Sequence, residues 1–260
     1  RGGGLRRGEI GAGHRPDRYA FTGNIGYYFF LVLGIKYAGA TVATLIIGTM
    51  PVMISFFGNL VNREFPFKLL LIPSCSILAG IFLLFLSEQR QMDSISVVQE
   101  HFLLGFLCSI IALGLWTWYG ISNANFLKKE PQISTDLFAT MVGIQTLGLS
   151  VLFLAIGSLA NPNMLARLLT HDQLMHYLTG VIVLGIASSW IAAWAWNQTS
   201  VRLTVTMAGM VIVFETIFGL LYTFIYERQF PTGLEWGSMI FIVLGVAGGL
   251  WRIGRHREAE

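Results

Sequence analysis

The sequence predicts an all-α membrane protein, a polytopic helical bundle, on three observations. Of its 260 residues 54% are hydrophobic and only 12% are charged, about half the charged share of a soluble domain, and the mean hydropathy is +0.65. The apolar residues are gathered into blocks of about 20, the length that carries a helix across a hydrocarbon layer of about 30 Å. No stretch of about ten residues alternates in polarity as the strands of a transmembrane barrel do. A water-soluble globule is excluded, and so is a disordered chain, because low charge with 13% aromatics is the reverse of the disordered composition.

The spans are expected at 21–37, 39–61, 67–87, 101–122, 136–159, 174–196, 203–226 and 233–253. Ahead of them, residues 1–20 form a Gly/Arg-rich segment with no apolar core that could serve as a signal peptide, read as a connector or a disordered tail. The first span carries Asn24, Tyr27 and Tyr28. The second carries Thr49 and a stripe of Thr41, Thr44, Gly48, Pro51 and Ser55; small residues there either line a pocket or let helices pack closely. Pro51 lacks an N–H, so a bend or an exposed carbonyl is expected at mid-membrane. The third span is followed by a solvated outer loop, 88–100, with Glu88, Asp93 and Glu100 against Arg90.

The fourth span places Trp116, Tyr119 and Asn123 on one face, and the connector after it carries Lys128 and Lys129 as a topological anchor, with Pro131 ending the helix. After the fifth, the sixth places Trp190, Trp194 and Asn197 on one face. Trp190 and Trp194 are read either as lipid packing or as the lining of a pocket able to stack on a planar or cationic ligand. Trp118, Trp196 and Trp251, near span ends, fit the interfacial aromatic belt. The seventh span contains Glu215, with Thr204, Ala208, Gly219 and Tyr222 expected beside it at helical spacing.

Lys and Arg near span ends mark the cytoplasmic side. With both termini inside, 13 of the 17 basic residues fall on that side and only Lys36, Arg90, Arg167 and Arg228 fall outside. The formal charge of +3 comes from connectors and chain ends, so no nucleic-acid partner is expected. Cys75 and Cys108 lie inside spans, which leaves no disulfide framework or C-x-x-C site. His14, His101, His171, His176 and His256 sit at span ends or in loops, and neither H-E-x-x-H nor an Asp cluster occurs. No cofactor, metal or enzyme chemistry is expected.

A shift of 165 residues superposes NREFP (62–66) on ERQFP (227–231), so that Arg63 meets Arg228, Phe65 meets Phe230 and Pro66 meets Pro231; Ile77 meets Ile242 and Gly80 meets Gly245 without a gap. The second span then lies on the seventh and the third on the eighth. In the topology above, the first of these loops is inside and the second outside, which makes the repeat inverted. Each unit then needs an odd number of spans. The second unit, 101–253, has five; the first, 21–100, shows three, so two further spans are expected upstream, and 254–260 is a cytoplasmic tail.

The stretch GNIGYYFFLVLGIKYAGATVATLIIGTMPVMISFFG, its mate SSWIAAWAWNQTSVRLTVTMAGMVIVFETIFGLLYTFIYERQFP and the closing VLGVAGG together resemble the EamA-type repeat of the drug/metabolite transporter superfamily over residues 22–253. The resemblance implies ten spans in two inverted five-helix repeats, of which eight are visible, both termini cytoplasmic, and transport through a central cavity. The family's repeats carry a Glu-Pro pair; here Met50-Pro51 keeps one half and Glu215-Thr216 the other.

An acid at the middle of a span costs about 2.5 to 3.5 kcal/mol on insertion scales, so Glu215 needs a compensating role. Either it faces a cavity, where it takes up a proton and returns it to water or holds a cationic group of the substrate, or it bonds as a protonated acid to a neighbouring helix. The expected function is secondary active transport of a small metabolite or drug-like solute across the bacterial inner membrane by alternating access, with Glu215 as the proton-coupling residue. The substrate-binding candidates are Asn24, Tyr27, Tyr28, Thr49, Pro51, Trp116, Tyr119, Asn123, Trp190, Trp194, Asn197, Glu215 and Tyr222. Partners are the small-molecule substrate and the lipid bilayer, with a homodimer left open. The alternative is a receptor or accessory membrane protein on the same fold without net transport.

Overall fold

The computed structural model describes residues 16–91, 101–161, 174–228 and 230–258. Among these, every regular element is helical and no strand occurs. In chain order they are α1 (Pro16–Ala20), a π-helical turn (Phe21–Ile25), α2 (Gly26–Ala38), α3 (Ala40–Gly48), α4 (Met50–Asn62), α5 (Phe67–Gln91), α6 (Phe102–Lys129) and α7 (Thr135–Ala160). Then follow α8 (Leu174–Val183), a second π-helix (Leu184–Ile191), α9 (Ala192–Arg202), α10 (Val205–Ile212), α11 (Phe214–Glu227) and α12 (Gly233–Glu258).

Every predicted apolar stretch lies on helix. Among the described residues five helices are long and apolar enough to cross a membrane, namely Val42–Asn62, Phe67–Ser87, Phe102–Lys129, Thr135–Ala160 and Gly233–His256, with a shorter apolar helix at Val205–Phe218. Several helices overrun the apolar limits; α6 continues past residue 122 to Lys129 before the turn at Pro131. Backbone hydrogen bonding does not stop where the side chains turn polar, because a helix leaving a bilayer keeps its internal bonds in water. The readings of residues 1–15, of Asp93 and Glu100 in the outer loop, of Arg167 and of His171 lie outside the described residues.

The helices sort into two compact units, each discontinuous in sequence: residues 1–26 with 122–202, and residues 27–121 with 203–260. In the first, Tyr19 is fully buried between Phe126, centroid to centroid 6.1 Å, and Phe138, 5.4 Å edge-on. α7 starts on Ser134, whose hydroxyl accepts from the Leu137 N–H at 3.2 Å, the N-cap arrangement that satisfies an orphan donor. Beyond its first turns α7 exposes Ile144, Leu147, Val151, Leu152 and Leu159. In water such a face is a liability; against acyl chains it costs nothing, which is the physical signature of a lipid-facing helix.

The second unit is built on two helix pairs. α5 crosses α12 at glycines: a Cβ on Gly80 would sit 2.6 Å from the Ile242 side chain and 2.8 Å from the Ser238 carbonyl, and one on Gly245 would sit 2.8 Å from Ile77 and 3.0 Å from the Pro73 carbonyl. Every residue in the second contact is the 165-residue mate of one in the first, and Ser76 donates to the carbonyl of its own mate, Phe241, at 2.7 Å. The shift read from the sequence therefore recurs in the packing. Ile77, Ile81, Val213, Ile242 and Val246 fill the core beside this crossing. Gly80→Leu and Gly245→Leu should each destabilise the protein by about 1–3 kcal/mol through overpacking, read as thermal unfolding in detergent. Gly114→Ala, where nothing lies within 4 Å, should not.

The other pair is α4 on α10. Backbones approach closely here too: a Cβ on Gly58 would meet Val205 Cγ1 at 2.7 Å, and one on Gly209 would meet the Ser55 hydroxyl at 2.7 Å. α4 ends on Arg63 in the left-handed region, φ 52°, and Arg228, its mate after α11, takes φ 54°. A non-glycine residue holds that conformation only where its surroundings fix it. For Arg63 they are the bond from its N–H to the Asn59 carbonyl, 2.7 Å, and the side chain of Asn59 gripping Phe65.

Candidate functional site

The second and seventh apolar stretches are each interrupted by a one-residue turn, at Thr49 and Val213, one residue apart in the 165-residue register. Between α3 and α4, Thr49 (φ −76°, ψ −6°) sends its N–H to the Ile46 carbonyl at 3.1 Å and its hydroxyl to the same carbonyl at 2.7 Å. Pro51 follows at the start of α4 and has no N–H for the carbonyl of Ile47. Between α10 and α11, Val213 (φ −60°, ψ −20°) sends its N–H to Met210 at 3.4 Å and receives the Thr216 N–H at 3.0 Å. No proline causes this break; Val213 is fully buried in the core with Ile77 and Ile242.

Measured from the turn, Pro51 and Glu215 hold the same place, two residues beyond Thr49 and Val213. By the 165-residue shift Pro51 would instead meet Thr216, so the second break falls one residue early in that register. Glu215 stands in the first turn of α11, where a carboxylate opposes the positive end of the helix dipole. Its side chain is exposed on the protein's own surface. It lies within electrostatic range of Tyr27, which is buried, and Tyr28, which is 53% exposed. Tyr222, two turns along α11, is 68% exposed. Of the residues expected beside Glu215, Thr204 is the N-cap of α10 and Ala208 is buried, while Glu215 is exposed.

The remaining candidates are placed as follows. Trp116 and Tyr119 meet edge-on at 5.7 Å. Asn24, in the first π turn, donates to the Thr146 hydroxyl on α7 at 3.2 Å. Asn123 and Asn197 are both buried and bonded to each other, Nδ2 to Oδ1 at 2.7 Å, and Asn197 also donates to the Thr135 carbonyl at 3.3 Å. Trp190, at the end of the second π-helix, sends its indole N–H to Thr140 at 3.4 Å, and Trp194 sends its own to Asp136 at 2.7 Å; both rings stay over a third exposed. π-helical turns concentrate at functional positions, and here each carries one of the candidates.

Sequence reasoning missed Glu64. Its two carboxylate oxygens accept the Val205 and Thr206 N–H groups, both at 2.9 Å, and cap α10 from another helix's loop. Ser55 was singled out only as one of a small-residue stripe, yet its hydroxyl reaches the Thr206 carbonyl at 3.0 Å. The one signal that marks Glu64 is its place inside the repeated NREFP motif; nothing local to an acid in a loop reveals a partner 141 residues away.

Helices with apolar outer faces, two of them interrupted one residue apart in the repeat register, define a polytopic helical membrane protein. The chain belongs to the family of the inner membrane protein YtfF of Escherichia coli (strain K12), with which it is 30% identical over 232 residues, a match covering 86% of this chain and 71% of that protein. A solved crystal structure is similar over 92% of this chain and 77% of its own, with a TM-score of 0.71 at 19% identity, which shows a shared fold. No protein-family model matches the chain.

Proposed function

We propose that the protein is a secondary transporter of the drug/metabolite kind, moving a small solute across the inner membrane by alternating access. The observation that carries the reading is the pair of interrupted helices, broken at Thr49 and Val213, with Glu215 opening the half-helix after the second break. Discontinuous helices in corresponding positions of two halves are where secondary transporters hold substrate and coupling ion. The repeat is inverted in this reading, with eight spans in the chain and both termini cytoplasmic. The mated contacts that Gly80 makes with Ile242 and Gly245 makes with Ile77, and the left-handed backbone shared by Arg63 and Arg228, support it.

The binding surface is the region of the breaks, with Thr49, Pro51, Tyr27, Tyr28 and Tyr222 around Glu215, and Glu215 exchanges a proton as the site turns from one side to the other. No covalent chemistry is part of the cycle. Flux of a broad metabolite panel in sealed proteoliposomes tests the function: solute accumulation against a gradient is expected, and no flux or exchange with any solute would favour a receptor or accessory role. Lys128→Cys tests the topology. An impermeant maleimide should label it from the cytoplasmic face; labelling from the opposite face would invert the assignment.

A further inference from the structure

The two interrupted spans contribute four half-helices to one compact unit, and those four are not packed alike. α4 and α10 are locked together. Glu64 closes the seam at one end by accepting both the Val205 and the Thr206 N–H at 2.9 Å, two of the donors that a helix start leaves without intrahelical partners. Farther along, the Ser55 hydroxyl shares its hydrogen between the carbonyls of Pro51, 2.8 Å, and Thr206, 3.0 Å. Gly58 and Gly209 leave no room for a Cβ between the two backbones. The clasp itself is held: Asn62 donates to Glu64 Oε1 at 3.3 Å, and Asn59 grips Phe65 on the other side of Glu64.

The other two half-helices, α3 and α11, share no such seam among the described residues. Thr44 on α3 is the 165-residue mate of Gly209, yet Gly209 is buried against Ser55 while Thr44 is exposed. On α11, Phe218, Tyr222 and Ile225 are exposed as well. One pair of half-helices is closed by this seam, and the described residues of the other pair show no counterpart to it.

Resting on the transporter reading above, we propose that the α4–α10 seam is a latch, clasped by Glu64, that closes the cytoplasmic side in this conformation and must release when the α3–α11 side closes. In the proposed topology both α4, which ends at the loop 63–66, and α10, which starts after Arg202, belong to the cytoplasmic half of their spans. Glu64 is a positioning residue: it touches no substrate and acts through the start of α10, whose far end leads to Val213 and Glu215. A carboxylate across two backbone donors is a charge-assisted contact that forms and breaks as a unit.

The test reads accessibility on both sides of the full-length chain reconstituted in sealed vesicles, in a Cys75→Ser/Cys108→Ser background. Thr206→Cys reports the closed seam and Tyr222→Cys the open side, each reacted with an impermeant maleimide from one face. Glu64→Gln keeps the shape of the side chain but loses its charge and one of its two acceptors. It should raise cytoplasmic labelling at 206 about tenfold and lower labelling at 222. Glu64→Asp should fall between it and the native chain. Amide exchange at Val205 and Thr206 should quicken in the same order. Unchanged labelling at 206 would overturn the latch. So would a rise at both positions, which means general loosening. The reading of function stands apart: reciprocal labelling with pH-insensitive flux keeps the latch and removes Glu215 coupling. Glu215-dependent flux without reciprocal labelling does the reverse.

Discussion

Glu215→Gln is expected to reduce proton-driven transport to the level of protein-free vesicles while leaving membrane insertion and unfolding temperature unchanged. Glutamine has the size of a protonated glutamate and, like it, both donates and accepts hydrogen bonds, but it cannot ionise. A carrier that must give up a proton on one side would therefore stop with the site permanently neutral. Exchange of labelled for unlabelled solute needs no net proton movement and should persist. Native flux should change between about pH 5 and pH 8 and the variant's should not. Unaltered, pH-dependent flux in the variant would remove Glu215 from the mechanism. Since the side chain is exposed on the protein's own surface, the substitution opens no cavity, so a fall in transport reports on the cycle rather than on folding.

Asn59→Ala should produce the largest loss of stability. The side chain is fully buried; its Oδ1 accepts the Phe65 N–H at 2.7 Å and its Nδ2 donates to the Phe65 carbonyl at 2.8 Å. Removing it strands two buried backbone groups at about 1–3 kcal/mol each and frees the loop that holds Arg63 left-handed. A total of about 2–5 kcal/mol is expected in detergent unfolding, near the upper end for a single substitution. Asn59→Asp keeps the acceptor and loses the donor, so it should cost less than the alanine variant. If aspartate and alanine cost the same, the bond from Nδ2 to the Phe65 carbonyl is the one that matters. If neither moves the transition, the loop is held by other contacts. Because Glu64 sits inside this loop, Asn59→Ala should also speed exchange of the Val205 amide.

Much of the fold is legible in the sequence, because the decisive property is local. A block of about 20 apolar residues is a helix in a bilayer whatever surrounds it, since no other conformation within one segment satisfies its backbone. The overruns at helix ends, such as α6 reaching Lys129, have the same local origin. The site is less legible. Pro51 announces the first break by its chemistry, whereas nothing in VIVFET announces the second.

What the sequence determined by itself is the helical membrane class, the positions of the apolar stretches and the shift of 165 that relates Arg63 to Arg228 and Gly80 to Gly245. Each depends only on composition, length or identity of residues, all readable along the chain. Only the tertiary structure decided where the seventh stretch turns, that Glu64 caps α10, that Asn123 bonds Asn197, and that α4 is closed on α10. These depend on which groups meet across the fold. Val213 turns where it is buried with Ile77 and Ile242, a place no local propensity marks, and an acid such as Glu64 gains its partners only when helices far apart in sequence are brought side by side.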